Sequence, residues 1–239
     1  MRRLLAAACL WLAAGAGAHD LITAESTRAW LDELDRWQAV PATAGAVERA
    51  QAAYRPGGLL DAIRRLLNQD LAAHGEVSGL ATHALRAERQ ARGLAPRREP
   101  RGGFAVEPLR YRLALKLAPE APFAADARYR VLDALYEQNL GRDPLGAAVD
   151  PEAETEMRTL AHTLLAREAS HPRREDIAFM AALLFTRAGR DCRADAAAAG
   201  HARMARGIIR DFERGHPDSL RAAAMPILRE ALGHCPGGG

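Results

Sequence analysis

The chain predicts an all-α fold of stacked antiparallel helical hairpins, and three observations lead there. Aromatic residues make up only 5% of the sequence, while the hydrophobic share is 49% and is dominated by alanine and leucine. Strands draw on β-branched and aromatic side chains, whereas alanine and leucine are strong helix formers. Leucines recur at three- and four-residue spacings, the period of one helix face. Finally, the proline steps Ala118-Pro119, His171-Pro172 and His216-Pro217 each close one apolar stripe just before another opens. The residue before a proline is pushed out of the helical region, so each step is a physical stop.

Residues 1–18 carry a different message. Met1-Arg2-Arg3 leads an apolar run from Leu4 to Ala14, followed by the small residues Ala16-Gly17-Ala18. That order of charge, short hydrophobic stretch and A-x-A site is a secretory signal peptide. The run is shorter than the roughly 20 apolar residues of a bilayer span. Cleavage after Ala18 would leave His19 first and place the mature protein in the periplasm or outside the cell. Ala14-Gly15-Ala16 offers a second cut site. Lipid attachment at Cys9 is disfavoured, because the apolar region before it has too few residues for a leader. No later stretch is apolar enough to cross a membrane, so no transmembrane segment is expected in the mature chain. The formal charge of +3 falls to +1 once Arg2 and Arg3 leave, which gives no reason to expect a nucleic-acid partner.

Residues 19–92 read as an N-terminal helical region. Leu21 to Val40 places Trp30, Leu31, Leu34 and Trp37 on one face and stops at Pro41. Ala44 to Tyr54 is expected to form a second, short helix ended by Arg55-Pro56-Gly57-Gly58. Leu59, Leu60, Ile63, Leu66, Leu67 and Leu71 make a third, closed by His74-Gly75, and Ser78 to Arg92 a weaker fourth. Residues 93–103, with two prolines, three glycines and three arginines, read as a linker or exposed loop. Within 104–235 the paired stripes are Leu109–Leu117 with Tyr129–Tyr136, Glu152–Ser170 with Ile177–Leu184, and Asp195–Arg214 with Leu220–Leu228. A short connection returns the second helix of each pair antiparallel to the first. Hairpins of this kind bury their apolar faces by stacking. About ten helices are expected in all, and residues 236–239 form a flexible tail.

The stretches Tyr111…Ala118-Pro119-Glu120-Ala121-Pro122-Phe123-Ala124-Ala125-Asp126-Ala127 and Phe212-Glu213-Arg214-Gly215-His216-Pro217-Asp218-Ser219-Leu220…Ala224 resemble tetratricopeptide-type repeats. They are most similar to those of periplasmic outer-membrane assembly and cell-envelope proteins. Phe212, Pro217, Asp218, Ser219 and Ala224 fit the phrase that joins successive repeats, and Tyr111, Pro119 and Ala127 fit it loosely. Pro172 with Ala178 and Phe179 is a third copy. The proline spacings of 53 and 45 depart from that family's regular 34, and its aromatic and Leu-Gly signature is absent. The resemblance implies a right-handed superhelical array over 105–235, with the N-terminal helices as a cap or extension. It also implies a bias toward protein binding, and it supplies no catalytic residue.

Several residues are candidates for chemistry. Cys192 and Cys235 flank the last hairpin at what should be the same end, and an exported chain is expected to pair them as a structural disulfide. A zinc site built from Cys192, Cys235, His234 and His201 matches no standard ligand spacing. Arg97, Arg98 and Arg101 are a candidate anion contact, but with no aromatic or glycine-rich phosphate cradle beside them a solvated basic loop explains them better. An N-terminal His19 is one residue and not a copper site. Glu25-Ser26 is similar to the catalytic dipeptide of lytic transglycosylases but lacks the segment that follows it there. Ser26 or Thr27 as a helix cap accounts for it. Either Asp218 or Ser219 is expected to cap the helix that begins near Leu220.

Together these readings lead to an exported, non-enzymatic adaptor or scaffold that binds a protein or peptide in the cell envelope, with no cofactor expected. The alternative is a periplasmic enzyme or metal-binding protein whose site is assembled from residues distant in sequence.

Overall fold

The computed structural model describes residues 22–74, 88–98, 102–140 and 143–233. The fold is all-α, built of packed helical hairpins, and it divides into two compact units. Unit 1 takes residues 1–42 and 55–106; unit 2 takes 43–54 and 107–239.

In unit 1, helix α1 (Ala24–Gln38) starts at Thr23, whose hydroxyl accepts from the Ser26 amide at 3.0 Å while the Thr23 amide donates to Ser26 Oγ. This reciprocal capping box satisfies two amides that the helix itself cannot. The cap is therefore Thr23, not Ser26 or Thr27: Ser26 sits at the third helical position and Thr27 is fully buried. Leu31 and Leu34 of α1 pack with Leu60, Ile63 and Leu67 of α2 (Ala46–His74) and with Leu94. Arg92 holds Asp35 through bonds of 2.6 and 2.7 Å.

Helix α2 corrects one expectation. Instead of stopping at Arg55-Pro56-Gly57-Gly58, it runs unbroken through Pro56. Proline inside a helix costs about 3 kcal/mol through a lost hydrogen bond and a ring clash. That cost is met by burial on both sides of the proline. Ala50 and Ala53 pack in unit 2, and Leu60, Ile63 and Leu67 pack in unit 1.

The Pro/Gly/Arg-rich segment carries a small antiparallel ladder, β1 (Arg97–Arg98) with β2 (Phe104–Ala105). Gly102 and Gly103 have φ of 85° and 86°, left-handed values that a side chain would resist. Asn68 of α2 fastens the ladder: its amide donates to the Phe104 carbonyl at 2.9 Å and its oxygen accepts from the Phe104 amide at 2.7 Å. The expected fourth helix lies mostly outside the described residues, which show a helical turn at 88–91.

Unit 2 holds helices α3 (Leu109–Leu117), α4 (Ala124–Leu140), α5 (Pro151–Arg167), α6 (Arg174–Gly189), α7 (Ala196–Gly215) and α8 (Met225–Ala231). Each packs on the next, and α6 also meets α8. Asp150 caps α5 by accepting from the Glu152 and Ala153 amides, and Asp195 caps α7 from the Ala198 amide at 2.7 Å. Helix α6 is the centre of the core, with Ile177 and every residue from Met180 to Thr186 buried. At its C-terminal end it crosses α7 so closely that a Cβ on Gly189 would lie 2.5 Å from the Ala202 nitrogen. Glycine is required there by contact rather than by φ. The loop before α5 is clipped in place. Arg187 donates to the Pro144 and Ala147 carbonyls at 2.8 and 2.9 Å, and Arg190 to the Leu145 carbonyl at 2.8 Å.

The last hairpin is less regular than its stripe suggested. A 3-10 turn (Leu220–Ala224) precedes α8, which spans only Met225–Ala231. Pro226 near its start fits a helix beginning there, because the first turn needs no amide at that position.

Candidate functional site

Two of the three proline steps coincide with helix ends: Ala118 and His216, the residues before Pro119 and Pro217, are the C-caps of α3 and α7. Helix α5 ends before its step, at Arg167 with Glu168 as the cap, so the stop expected at His171-Pro172 comes earlier than the proline. Pro119 offers its carbonyl to Arg128 at 2.5 Å. At Pro172, His171 is buried and its Nδ1 accepts from the Arg173 amide at 3.1 Å. At Pro217 the cap is Ser219 rather than Asp218: its hydroxyl accepts from the Arg221 amide at 3.1 Å and donates to Glu175 at 2.6 Å. Arg221 completes the tie, pairing with Asp176 and lying 5.4 Å over the Phe179 ring. The turn after α7 is thus anchored to the first turn of α6. The repeat-turn residues are structural in this geometry.

The other candidates are dispersed. Arg97 and Arg98 lie exposed on β1, and Arg101 is outside the described residues. Cys192 is buried and disulfide-bonded, while Cys235 and His234 lie outside the described residues. His201 rests against Phe185, ring centroids 5.7 Å apart, with His162 on the same Phe185 at 6.3 Å. Burial, helped by Arg158, holds His201 below the usual histidine pKa. Among the described residues no group of three or more His, Cys, Asp or Glu is placed to hold a metal ion. His19 is outside the described residues, and no helix among the described residues is long and apolar enough to cross a membrane.

What the structure does assemble is a cleft of about 380 Å³ in unit 2. Helix α5 contributes His162, Leu165 and Ala166 to one wall, and α7 contributes Met204, Ile208 and Asp211 to the other. Ala178 of α6 and Phe212 lie buried beneath, and Arg174 and His216 sit at one end. Arg174 is fixed by donating to the Leu165 and Glu168 carbonyls at 3.1 and 3.3 Å, a cation on the C-terminal carbonyls of α5. Met204 is 40% exposed at the mouth. The volume falls at the low end of the roughly 300–1,000 Å³ typical of ligand clefts.

Of the residues in the repeat stretches, Ala178, Phe212, Gly215 and His216 reach this cleft. The sequence reading, which treats Asp195–Arg214 as one stripe of the last hairpin, does not single out the rest. A signal was present. Ala202, Ala205, Ile209 and Phe212 already supply a complete buried stripe on α7. Met204 and Ile208, four apart, widen the apolar face beyond that stripe, Ile208 packing partly on the core and Met204 standing exposed.

No family model, characterised protein or solved structure matches the chain.

Proposed function

We propose that this chain is an exported, non-enzymatic adaptor of the cell envelope whose hairpins follow a tetratricopeptide-like plan and dock a protein segment between α5 and α7. The observation that carries the reading is the cleft itself: largely apolar walls that include one histidine and one carboxylate, His162 and Asp211, with Met204 at the mouth. Such a lining suits an apolar side-chain row presented by a partner. The repeat plan is supported by two links between alternate helices. Arg112 of α3 bonds Glu156 of α5 at 2.7 Å, and α6 packs on α8. The residues 1–18 leader supports the address. A photo-crosslinking residue at position 204, in cells producing the full chain, is expected to capture a discrete partner. The same probe at Glu120, 80% exposed at its side chain and remote from the cleft residues in sequence, is the control. Identical products from both positions would defeat the reading.

A further inference from the structure

We infer that the outer ridge of α7 is a contact surface for a phospholipid bilayer bearing anionic headgroups. The ridge is a different face of α7 from the cleft wall and is independent of the docking reading. Arg203, Arg206, Arg210 and Arg214 fall within about 80° of one another around the helix and cover about 16 Å of its length. The buried residues Ala202, Ala205, Ile209 and Phe212 centre about 125° away. Arg203, Arg210 and Arg214 are accordingly exposed.

Much of this charge is open to a partner. Arg203 and Arg210 have no ion-pair partner among the described residues. Arg214 meets Asp211, but their side chains are 73% and 67% exposed, and a surface pair of that kind is weak enough for a phosphate to displace. Arg206 donates to the Gly233 carbonyl at 3.3 Å. The two acids of α7, Asp211 and Glu213, stand on opposite flanks of the row, and Glu213 is held by Arg229 at 2.6 Å. Within the row itself every charged residue of α7 is an arginine.

The ridge also has bare stretches. Gly200 and Gly207 lie along one edge of the row in mid-helix, where glycine disfavours the helix. Neither has a positive φ. A Cβ on Gly207 would meet nothing within 4 Å, and one on Gly200 only the tip of Arg203 at 3.9 Å. Packing inside the chain does not call for these glycines, while exposed backbone beside the arginines lets a broad surface come close. A guanidinium matches a phosphate with paired hydrogen bonds, and each arginine near an anionic leaflet adds to the attraction. The one Phe, Tyr or Trp of α7, Phe212, is buried, so the ridge offers no such ring on which nucleic-acid bases could stack. The leader read from residues 1–18 directs the chain to the envelope, where phospholipid surfaces are at hand.

The test is co-sedimentation of the chain recovered after export with vesicles of mixed phosphatidylglycerol and phosphatidylcholine. Vesicles of phosphatidylcholine alone supply the neutral surface. Binding should need the anionic lipid and weaken as salt rises. The double variant Arg203→Ala, Arg210→Ala should bind about thirtyfold more weakly. The pair Arg97→Ala, Arg98→Ala, an equal loss of charge from exposed residues of β1, should bind like the parent. Equal losses in the two double variants would mean that net charge alone drives binding, and would overturn the inference. So would a parent chain that ignores anionic vesicles, or one that holds a single-stranded oligonucleotide more tightly than the vesicles through the same two arginines. Crosslinking from position 204 judges the cleft separately from all of these results.

Discussion

Unit 1 takes Thr27, Asp61, Arg64, Asp70 and Arg89 out of water, whereas the larger unit 2 buries only His171 and Thr186 as polar residues among those described. The apolar cores differ in kind as well. Unit 1 relies on leucine and isoleucine around a few helical turns. Unit 2 interleaves large side chains with alanines that let helices approach closely, as at Ala181, Ala182, Ala202 and Ala205. The difference shows two ways of holding a helical unit together. One depends on every buried charge keeping its partner; the other depends on backbone proximity.

Breaking a buried pair should have the largest effect. Arg64 and Asp61 have side chains only 8% exposed and meet at 2.9 Å. Arg64→Leu would take the nearest cation from buried Asp61, costing about 3 kcal/mol; urea denaturation of the full chain should read it as a lowered midpoint. Replacing both partners by leucine should recover part of that loss, since the two charges of the pair leave together. Next comes the close approach in unit 2. Gly189→Ala should cost about 2 kcal/mol, because its Cβ meets the backbone of Ala202 rather than a side chain that can turn away. A loss no larger than at exposed Gly215, which faces open space, would sink the proximity argument. Ser219→Ala removes the cap and the bond to Glu175, for about 1 kcal/mol.

The smallest effect is on pH dependence. Burial, reinforced by Asp133 and Asp176, raises the Tyr129 phenol well above its usual 10. The folded chain keeps a proton that the unfolded chain releases there, so the contribution is complete below pH 10 and declines as pH climbs past it. Thermal melts of Tyr129→Phe should show a shallower alkaline decline than the parent.

Helix positions were readable wherever a stripe was long and its ends carried their own chemistry. Asp195, Pro119 and Pro217 act through bonds and sterics within a few residues of themselves. Pro56 misled for the opposite reason: the local penalty is real, but burial of residues on both sides of it outweighs that penalty, and burial is not local. Thr23 is hard to single out as the cap from sequence, because Ser26 and Thr27 stand nearby with the same chemistry. The cleft was hardest to foresee. Its walls come from helices separated by a third, and each wall residue taken alone looks like ordinary core.

The loop at 143–149 has another consequence. It forms almost no regular structure, yet arginines at the C-terminal end of α6 bind its carbonyls, so its path is dictated by side chains 40 to 45 residues away in the chain. Tolerance to spliced-in sequence follows backbone engagement rather than helix content. A foreign tag should therefore be accepted poorly here. At Thr43–Gly45, outside any helix and mostly exposed, it should cause little harm.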